Sequence, residues 1–291
     1  MAIELKGKPV ADKIRESVSR DVANWKAQGT QPKMAVILVE GDPASAFYAR
    51  AKQQVAHKLG IEYELLTLPH NVSESELLAA VHGFNEDPLI HGIMLELPLP
   101  RHISPERVIA SIDPAKDVDG LTQFNRMANM TGEQGIYPAT PMACVRLVKH
   151  YGYTLAGKHV VLVGCGKTVG QPLMHLLLRE LATVTVCHAG TRDLSAHLEQ
   201  AELAFVAVGK AGLIEPHMVH KDLVIVDAGI NETKDHQIVG DVAPEVAEAV
   251  QGLSPTPGGV GSVTTMQLFA NLMKAMKLQQ EAQTEDLLVS V

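Results

Sequence analysis

The chain has 291 residues, 46% of them apolar and 20% charged, which is enough for two domains that each bury a core. A net charge of −8 argues against a nucleic-acid surface, and no apolar run reaches the roughly 18 residues that would cross a bilayer. Three widely spaced cysteines, Cys144, Cys165 and Cys187, argue against a disulfide scaffold or a zinc site and suit a reducing cytosol; the opening MAIELKGKPVADKI has none of the features of a secretory signal.

In chain order, Val10 to Gln28 follows a helical period, and Met34 to Val39 is a continuous apolar run, as in a strand buried on both faces. Pro43 to Leu59 is a second helix, Tyr63 to Leu68 a strand, and Ser73 to Asn85 a helix opened by Ser-x-Ser-Glu. Ile90 to Glu96 is a strand ended by Leu97-Pro98-Leu99-Pro100. Turn residues then dominate from Pro114 to Thr140, which reads as an inter-domain region. Pro141 to Tyr151 is a helix, and Val160 to Val163 is a strand that runs into Gly164, Gly166 and Gly170 before a helix from Leu173 to Leu181. Short β-branched runs at Thr183 to Cys187, Leu203 to Val208 and Leu223 to Ala228 continue the alternation. A second glycine turn, Pro257 to Gly261, precedes a helix from Val263 to about Leu278, and the final EAQTEDLLVSV reads as a loose tail. Strands alternating with helices predict an α/β protein built on parallel sheets.

Strand, glycine turn and helix in succession are the setting of a dinucleotide site. The first glycine allows the tight turn, the second a close approach of backbone to pyrophosphate, and the third close packing of a helix whose positive end faces the phosphates. Here the third glycine comes one residue later than in G-x-G-x-x-G. NAD sites place an acid about 20 residues onward, for the ribose hydroxyls. Cys187 to Arg192 contains no carboxylate, and Arg192 adds a cation, so the pattern leans to a 2′-phosphate and hence NADP. The plainer reading makes Arg192 a solvated residue at a helix start.

In the first half, Tyr48 and Lys52 share a helix face, Glu96 stands at the carboxyl end of its strand, and Asp117 and Asp119 lie in a turn-like Lys-Asp-Val-Asp-Gly. Each has a bland reading: surface packing for the Tyr/Lys pair, a plain turn for Asp-Gly. His217 and His220 have no third ligand at a helpful spacing, so no metal is expected, and Cys165 between glycines fits a small residue in a tight loop.

YARAK from Tyr48, HGIMLELPLP from His91, KDVDG from Lys116, VVLVGCGKTVGQP from Val160 and PTPGGVG from Pro255 occur in one order. Together they resemble the bifunctional methylenetetrahydrofolate dehydrogenase/cyclohydrolase (FolD-type) proteins, over about Leu5 to Met276. The resemblance implies an N-terminal α/β catalytic domain, residues 1–139, that binds folate and receives the C-terminal helix of about 263–280. It implies a Rossmann-like, doubly wound parallel-sheet NAD(P)-binding domain over 140–262. A cytoplasmic homodimer of one-carbon metabolism follows, with tetrahydrofolate derivatives as ligands and NADP (NAD possible) as cofactor. Neither nucleic acid nor membrane is an expected partner. By position, Tyr48 would stack on the pterin, Lys52 would be the catalytic lysine, and Asp119 would bind the pterin amino edge. Pro257, Gly258 and Gly261 would let backbone approach the folate; Gly164, Cys165, Gly166, Ala189 and Ile230 would line the cofactor.

The chain departs from the family pattern at several of these positions. Glu96 stands where glutamine is usual, Cys165-Gly166 where Arg-Ser is usual, and Ala189 where serine is usual. Ser262 and Val263 replace proline and methionine, and Ala143 replaces a glycine. Losing the arginine and both serines removes ligands of a 2′-phosphate, leaving Lys167, residues 190–192 and backbone N–H groups to compensate. A carboxylate at Glu96 would keep Lys52 charged and make it a poorer base, while favouring a cationic methenyl group. The expectation is that Glu96 spares hydride transfer and impairs hydrolysis. A dehydrogenase-only relative and a non-catalytic folate- or nucleotide-binding paralogue are the alternatives.

Overall fold

The computed structural model describes residues 2–233, 235 and 237–289. The chain divides into two compact units: residues 1–13 with 138–267, and residues 14–137 with 268 onward. In the second of these, β2 (Lys33–Val39) is flanked in parallel by β3 (Glu62–Leu68) and β4 (Gly92–Leu95). The apolar run of β2 is buried from Met34 to Val39, as a central parallel strand requires, whereas edge strand β3 alternates exposed Glu62 and Glu64 with buried Tyr63. One core gathers Ala35, Ile37 and Val39 of β2 with Leu77, Val81, Ile93 and Val108.

Around this sheet run α1 (Gly7–Ala27), whose residues from Ile14 on belong to this unit, α2 (Pro43–Leu59), α3 (Glu74–Glu86), α4 (Pro105–Ala110) and α5 (Gln123–Thr131). The expected start signal of α3 is a complete capping box: Glu76 N–H donates to Ser73 Oγ (3.2 Å), and Ser73 N–H donates to Glu76 Oε2 (2.9 Å). Helix α2 opens on Asp42, whose carboxylate accepts Ser45 N–H at 3.0 Å, and closes on left-handed Gly60.

The stretch from Pro114 to Thr140 differs from its expectation as an inter-domain region. Most of it lies inside this unit, and it contains α5, capped by Thr122 and by left-handed Gly132. Helices α4 and α5 escape a periodicity reading because they are only six and nine residues long.

In the other unit, β5 (His159–Val163), β6 (Thr183–Cys187), β7 (Leu203–Val206) and β8 (Val224–Asp227) are joined by the two-residue strands β1 (Ile3–Glu4) and β11 (Gly252–Leu253). All pair in parallel, in the order β1-β11-β8-β7-β5-β6. Helices α6 (Ala139–His150), α7 (Gly170–Arg179) and α8 (Leu194–Leu198) accompany them, with a separate antiparallel pair, β9 (Asn231–Glu232) and β10 (Ile238–Val239). Because β1 pairs with β11, the first thirteen residues cluster here, not with the residues that follow them up to 139. The sheet order reverses at β5, between β6 and β7, which is where open α/β sheets bind ligands.

The last helix, α9, spans Val260–Val289, three residues earlier and about eleven later than expected. Residues 281–289 are therefore helical and not a loose tail; positions 290 and 291 of that expected tail lie outside the described residues. Within the 14–137 unit, Asn271 Nδ2 donates to Val118 O (2.8 Å) and Tyr137 O (3.0 Å), and Gln279 Nε2 donates to His91 O (2.9 Å) and Ala115 O (2.8 Å). These amides anchor the helix by satisfying carbonyls of the irregular segments that it covers.

Candidate active site

Four of the singled-out residues come from three segments of the 14–137 unit. Tyr48 and Lys52 lie one turn apart on α2. Glu96 follows β4 directly, and its N–H donates to Ile37 O of β2 at 2.9 Å, so its side chain starts from the carboxyl edge of the sheet. Ser45 Oγ donates to Leu97 O (3.1 Å), tying the start of α2 to the chain just beyond Glu96. Lys52 Nζ donates to both Glu96 oxygens, at 2.7 and 2.9 Å, and the two side chains are only 12% and 6% exposed. Two of the ammonium's three protons are thus directed at one carboxylate, leaving one for another acceptor. The carboxylate at position 96 is turned onto the lysine, not away from it.

The Lys116-Asp117-Val118-Asp119-Gly120 segment separates into architecture and chemistry. Lys116 Nζ donates to three carbonyls that end α3, Phe84 O, Asn85 O and Asp87 O, at 3.1, 2.6 and 2.8 Å. Asp117, 1% exposed, accepts from Gly120 N–H, Thr122 N–H and Asn125 Nδ2 at 2.8–3.0 Å. Both are spent on holding the turn, and Asp117 extends the sheet by a parallel bridge to Ile93. Asp119 is partly buried, and within the described residues its carboxylate makes no hydrogen bond. Its pKa is pushed up to about 7, first by desolvation, then by the charge of Asp117; Lys52 pulls it down and Glu96 adds a smaller push upward. A carboxylate without donors, beside a lysine and a second acid, is poised to take N–H groups from a ligand.

Two aromatic neighbours escaped the sequence reading. Phe47 is exposed, with its ring edge-on to Tyr48 at 5.8 Å between centroids. Tyr63 is buried and donates to Ala49 O at 3.0 Å; burial, then the charge of Glu96, pushes its phenol well above its ordinary range. No motif marks Tyr63; its hydroxyl reaches α2 at Ala49, one turn before the Lys52 that holds Glu96.

The other singled-out residues lie in the unit of 138–267, where β5, the glycine turn and α7 follow in the expected order. Gly164 has φ 102°, and a Cβ there would stand 2.2 Å from Ala207 O. A Cβ on Gly170 would meet Gly164 O at 2.1 Å, so this glycine lets α7 press onto the turn. Gly166 is the opposite case: it is exposed, with nothing within 4 Å of an added Cβ. Open backbone at Gly166 and partly buried Cys165, before a helix whose preceding Val169 offers no side-chain cap, fits a phosphate-bearing ligand. Ala189 is exposed in a loop that closes on itself: His188 N–H donates to Thr191 Oγ1 (2.9 Å) and Gly190 N–H to His188 Nδ1 (3.0 Å). Asp193 is committed to capping α8 through Ala196 N–H (3.1 Å), and Arg192 before it is exposed. Ile230 is exposed just beyond β8.

In the second glycine turn, Pro257, Gly258 and Gly261 are all exposed, and Gly258 has φ 105°. Gly258 O accepts Gly7 N–H at 2.8 Å, and a Cβ on Gly7 would stand 2.0 Å from Gly259 O, so this turn packs on the start of α1. Of His217 and His220, the second is held by backbone at both ring nitrogens: Nε2 donates to Ala201 O (2.9 Å) and Nδ1 accepts Asp222 N–H (3.4 Å).

Residues 5–119 match the family model described as tetrahydrofolate dehydrogenase/cyclohydrolase, catalytic domain, and residues 138–280 match that of its NAD(P)-binding domain. The chain is 51% identical over 274 residues to the bifunctional protein FolD of Heliobacterium modesticaldum, covering 94% of this chain and 96% of that protein. It superposes on the crystal structure of the bifunctional FolD dehydrogenase/cyclohydrolase of Campylobacter jejuni with a TM-score of 0.92 at 37% identity, covering 96% of this chain and all of the other. A Trypanosoma brucei FolD, complexed with NADP cofactor and inhibitor, matches with a TM-score of 0.90 at 30% identity, over 96% of this chain and 98% of the other.

Proposed function

The chain belongs to the tetrahydrofolate dehydrogenase/cyclohydrolase family, and from that premise we propose that Lys52, Glu96 and Asp119 form the folate site while Gly164, Cys165, Gly166, Ala189 and Ile230 form the NADP site. The two activities are oxidation of 5,10-methylene-tetrahydrofolate to the 5,10-methenyl cation, and hydrolysis of that cation to 10-formyl-tetrahydrofolate. Bifunctional relatives at up to 51% identity favour this over a dehydrogenase-only enzyme or a binding paralogue. The observation that carries the residue assignment is the bidentate Lys52–Glu96 pair beside Asp119, a carboxylate without hydrogen-bond donors among the described residues.

Asp119 accepts the pterin's N–H edge, and the Tyr48 ring offers it a stacking face. Oxidation removes a hydride from the methylene carbon and calls for no proton transfer, so these residues serve it by orientation, and Glu96 and Asp119 favour the positive charge that develops. NADP, when bound, supplies the hydride acceptor. Hydrolysis differs: water adds to the methenyl carbon, a C–N bond opens, and one proton is released. Lys52 is the group placed to handle that proton. Glu96 holds two of the ammonium's protons and so restrains it in this step relative to a neutral amide.

The absence of a free acid after β6, with Asp193 occupied as a cap, supports NADP over NAD. By the same family reading the enzyme is a cytoplasmic homodimer of one-carbon metabolism that feeds purine synthesis, in keeping with three free cysteines. No described helix is long and apolar enough to cross a membrane. The test is a spectrophotometric assay on 5,10-methylene-tetrahydrofolate, run with NADP and with NAD, following reduced cofactor and methenyl product together. The reading expects turnover with NADP and eventual loss of methenyl; folded protein without turnover on either cofactor refutes it.

A further inference from the structure

The carboxyl ends of β7 and β8 carry a pair of fully buried acids that neither motif nor family pattern singled out. Asp227 ends β8, and Asp241 follows the β9–β10 pair; they are 3% and 0% exposed. Asp241 Oδ2 accepts from Val208 N–H (2.6 Å) and Gly209 N–H (2.9 Å), and Oδ1 from Lys210 N–H (2.8 Å) and Asn231 Nδ2 (2.9 Å). Four donors fill the carboxylate. Three successive N–H groups converging on one anion form a nest, a shape that elsewhere holds phosphate. Here the nest is filled by the protein's own side chain, and so it is not a ligand site.

Asp227 makes the matching connection on its other side: Oδ1 accepts from Gly229 N–H (2.9 Å) and Asp241 N–H (3.2 Å), and Oδ2 from Val242 N–H (3.0 Å). Gly229 and Gly240 are forced by this arrangement. A Cβ on Gly229 would stand 2.2 Å from Asp241 Cγ, and one on Gly240 would stand 1.9 Å from Asp227 Oδ2. The carboxylate of Asp241 therefore fastens the loop after β7 to the loop after β8. Each loop ends in an exposed apolar side chain next to the fastening: Val208, whose own N–H is bound, and Ile230, between packed Gly229 and bound Asn231.

The sheet order gives these tips a place. The glycine turn follows β5, the position that selects the ribose 2′ group follows β6 on one side, and β7 and β8 lie on the other. A dinucleotide laid across the switch point puts its nicotinamide half over β7 and β8. We propose that Asp241 is a positioning residue for the dinucleotide, setting through Val208–Lys210 and Asn231 the spacing of two apolar tips, Val208 and Ile230, against the nicotinamide half. This rests on the assignment of the glycine turn to NADP binding.

The experiment compares Asp241→Asn, Asn231→Ala and Gly166→Val in the full chain, titrating NADP and, separately, tetrahydrofolate by calorimetry, with steady-state kinetics alongside. Asp241→Asn points an NH2 at backbone donors and is expected to weaken NADP binding about tenfold, raising KM for NADP but not for methylene-tetrahydrofolate. Tetrahydrofolate affinity is expected to stay within twofold. Asn231→Ala removes one of the four donors and is expected to weaken NADP about threefold. Unchanged NADP affinity in folded Asp241→Asn overturns the proposal. If that variant does not fold, Asn231→Ala decides: selective loss of NADP affinity supports the proposal and unchanged affinity overturns it. Gly166→Val fits the open space at that position but blocks the approach of a pyrophosphate. Unaffected NADP binding there would refute the underlying site assignment, whereas loss there with Asp241→Asn unaffected would remove the role of Asp241 alone.

Discussion

Each unit holds buried carboxylates at the carboxyl edge of a parallel sheet, and the two sets are neutralised differently. Beside β4, Glu96 is paired with an ammonium and Asp119 has no hydrogen-bond donor among the described residues. Beside β7 and β8, Asp227 and Asp241 are answered by backbone N–H groups and one amide, with no cation in the network among the described residues. Backbone donors cannot move or give up protons at neutral pH, so acids held by them are architecture. An acid facing a lysine, or facing nothing, can exchange partners when a ligand arrives. Within KDVDG the same division separates Asp117, saturated by the turn, from Asp119. Sequence patterns do not distinguish the two kinds of acid; donors do.

The largest test of this contrast is Lys52→Met. It leaves Glu96 buried without its cation, so hydrolysis of methenyl-tetrahydrofolate is expected to fall 10²–10⁴-fold and stability by roughly 2–4 kcal/mol, read by methenyl decay and by urea unfolding. Hydrolysis persisting at the parental rate would remove Lys52 from the reaction.

Asp119→Asn addresses the acid without donors through its pH dependence. The folded pKa of about 7 lies above the ordinary value of 3.8, so the parent binds the proton more tightly when folded. The favourable contribution is complete below about pH 4 and is lost as pH rises through 7. The amide is uncharged throughout, so the variant is expected to equal the parent near pH 4 and exceed it by roughly 2–4 kcal/mol at pH 8. Its affinity for tetrahydrofolate is expected to drop at the same pH. Calorimetric melting of both proteins across this range checks the sign; a stability gap that does not grow with pH contradicts it.

Glu96→Gln converts the charged partner of Lys52 into a neutral one. The expected result is about a tenfold rise in hydrolysis relative to hydride transfer, seen as less methenyl accumulating in the coupled assay. Equal rates in parent and variant would show that the carboxylate behaves as the amide does. The smallest effect concerns the cofactor rim: Ala189→Ser adds a hydroxyl to an exposed loop position and is expected to favour NADP over NAD by about threefold in kcat/KM.

Local chemistry made a large part of this protein legible. The apolar run of β2, the Ser73–Glu76 box, the strand–glycine–helix succession around Gly164 and the shared face of Tyr48 and Lys52 depend on residues within a few positions of one another. Propensity, capping and side-chain period act over that range. Short elements escaped because one or two turns give no period, as in α4 and α5, or because a two-residue strand such as β1 exists only through its distant partner β11. The reach of α9 to Val289 likewise exceeded the expected Leu278. Tertiary structure alone brought Glu96 onto Lys52, 44 positions away, and Asp241 onto the loop after β7, 31 to 33 positions away. It alone assigned one aspartate of KDVDG to the turn and left the other without a hydrogen-bond donor among the described residues. A carboxylate's role is set by which donors reach it, and those donors arrive with the sheet order and the loops it juxtaposes.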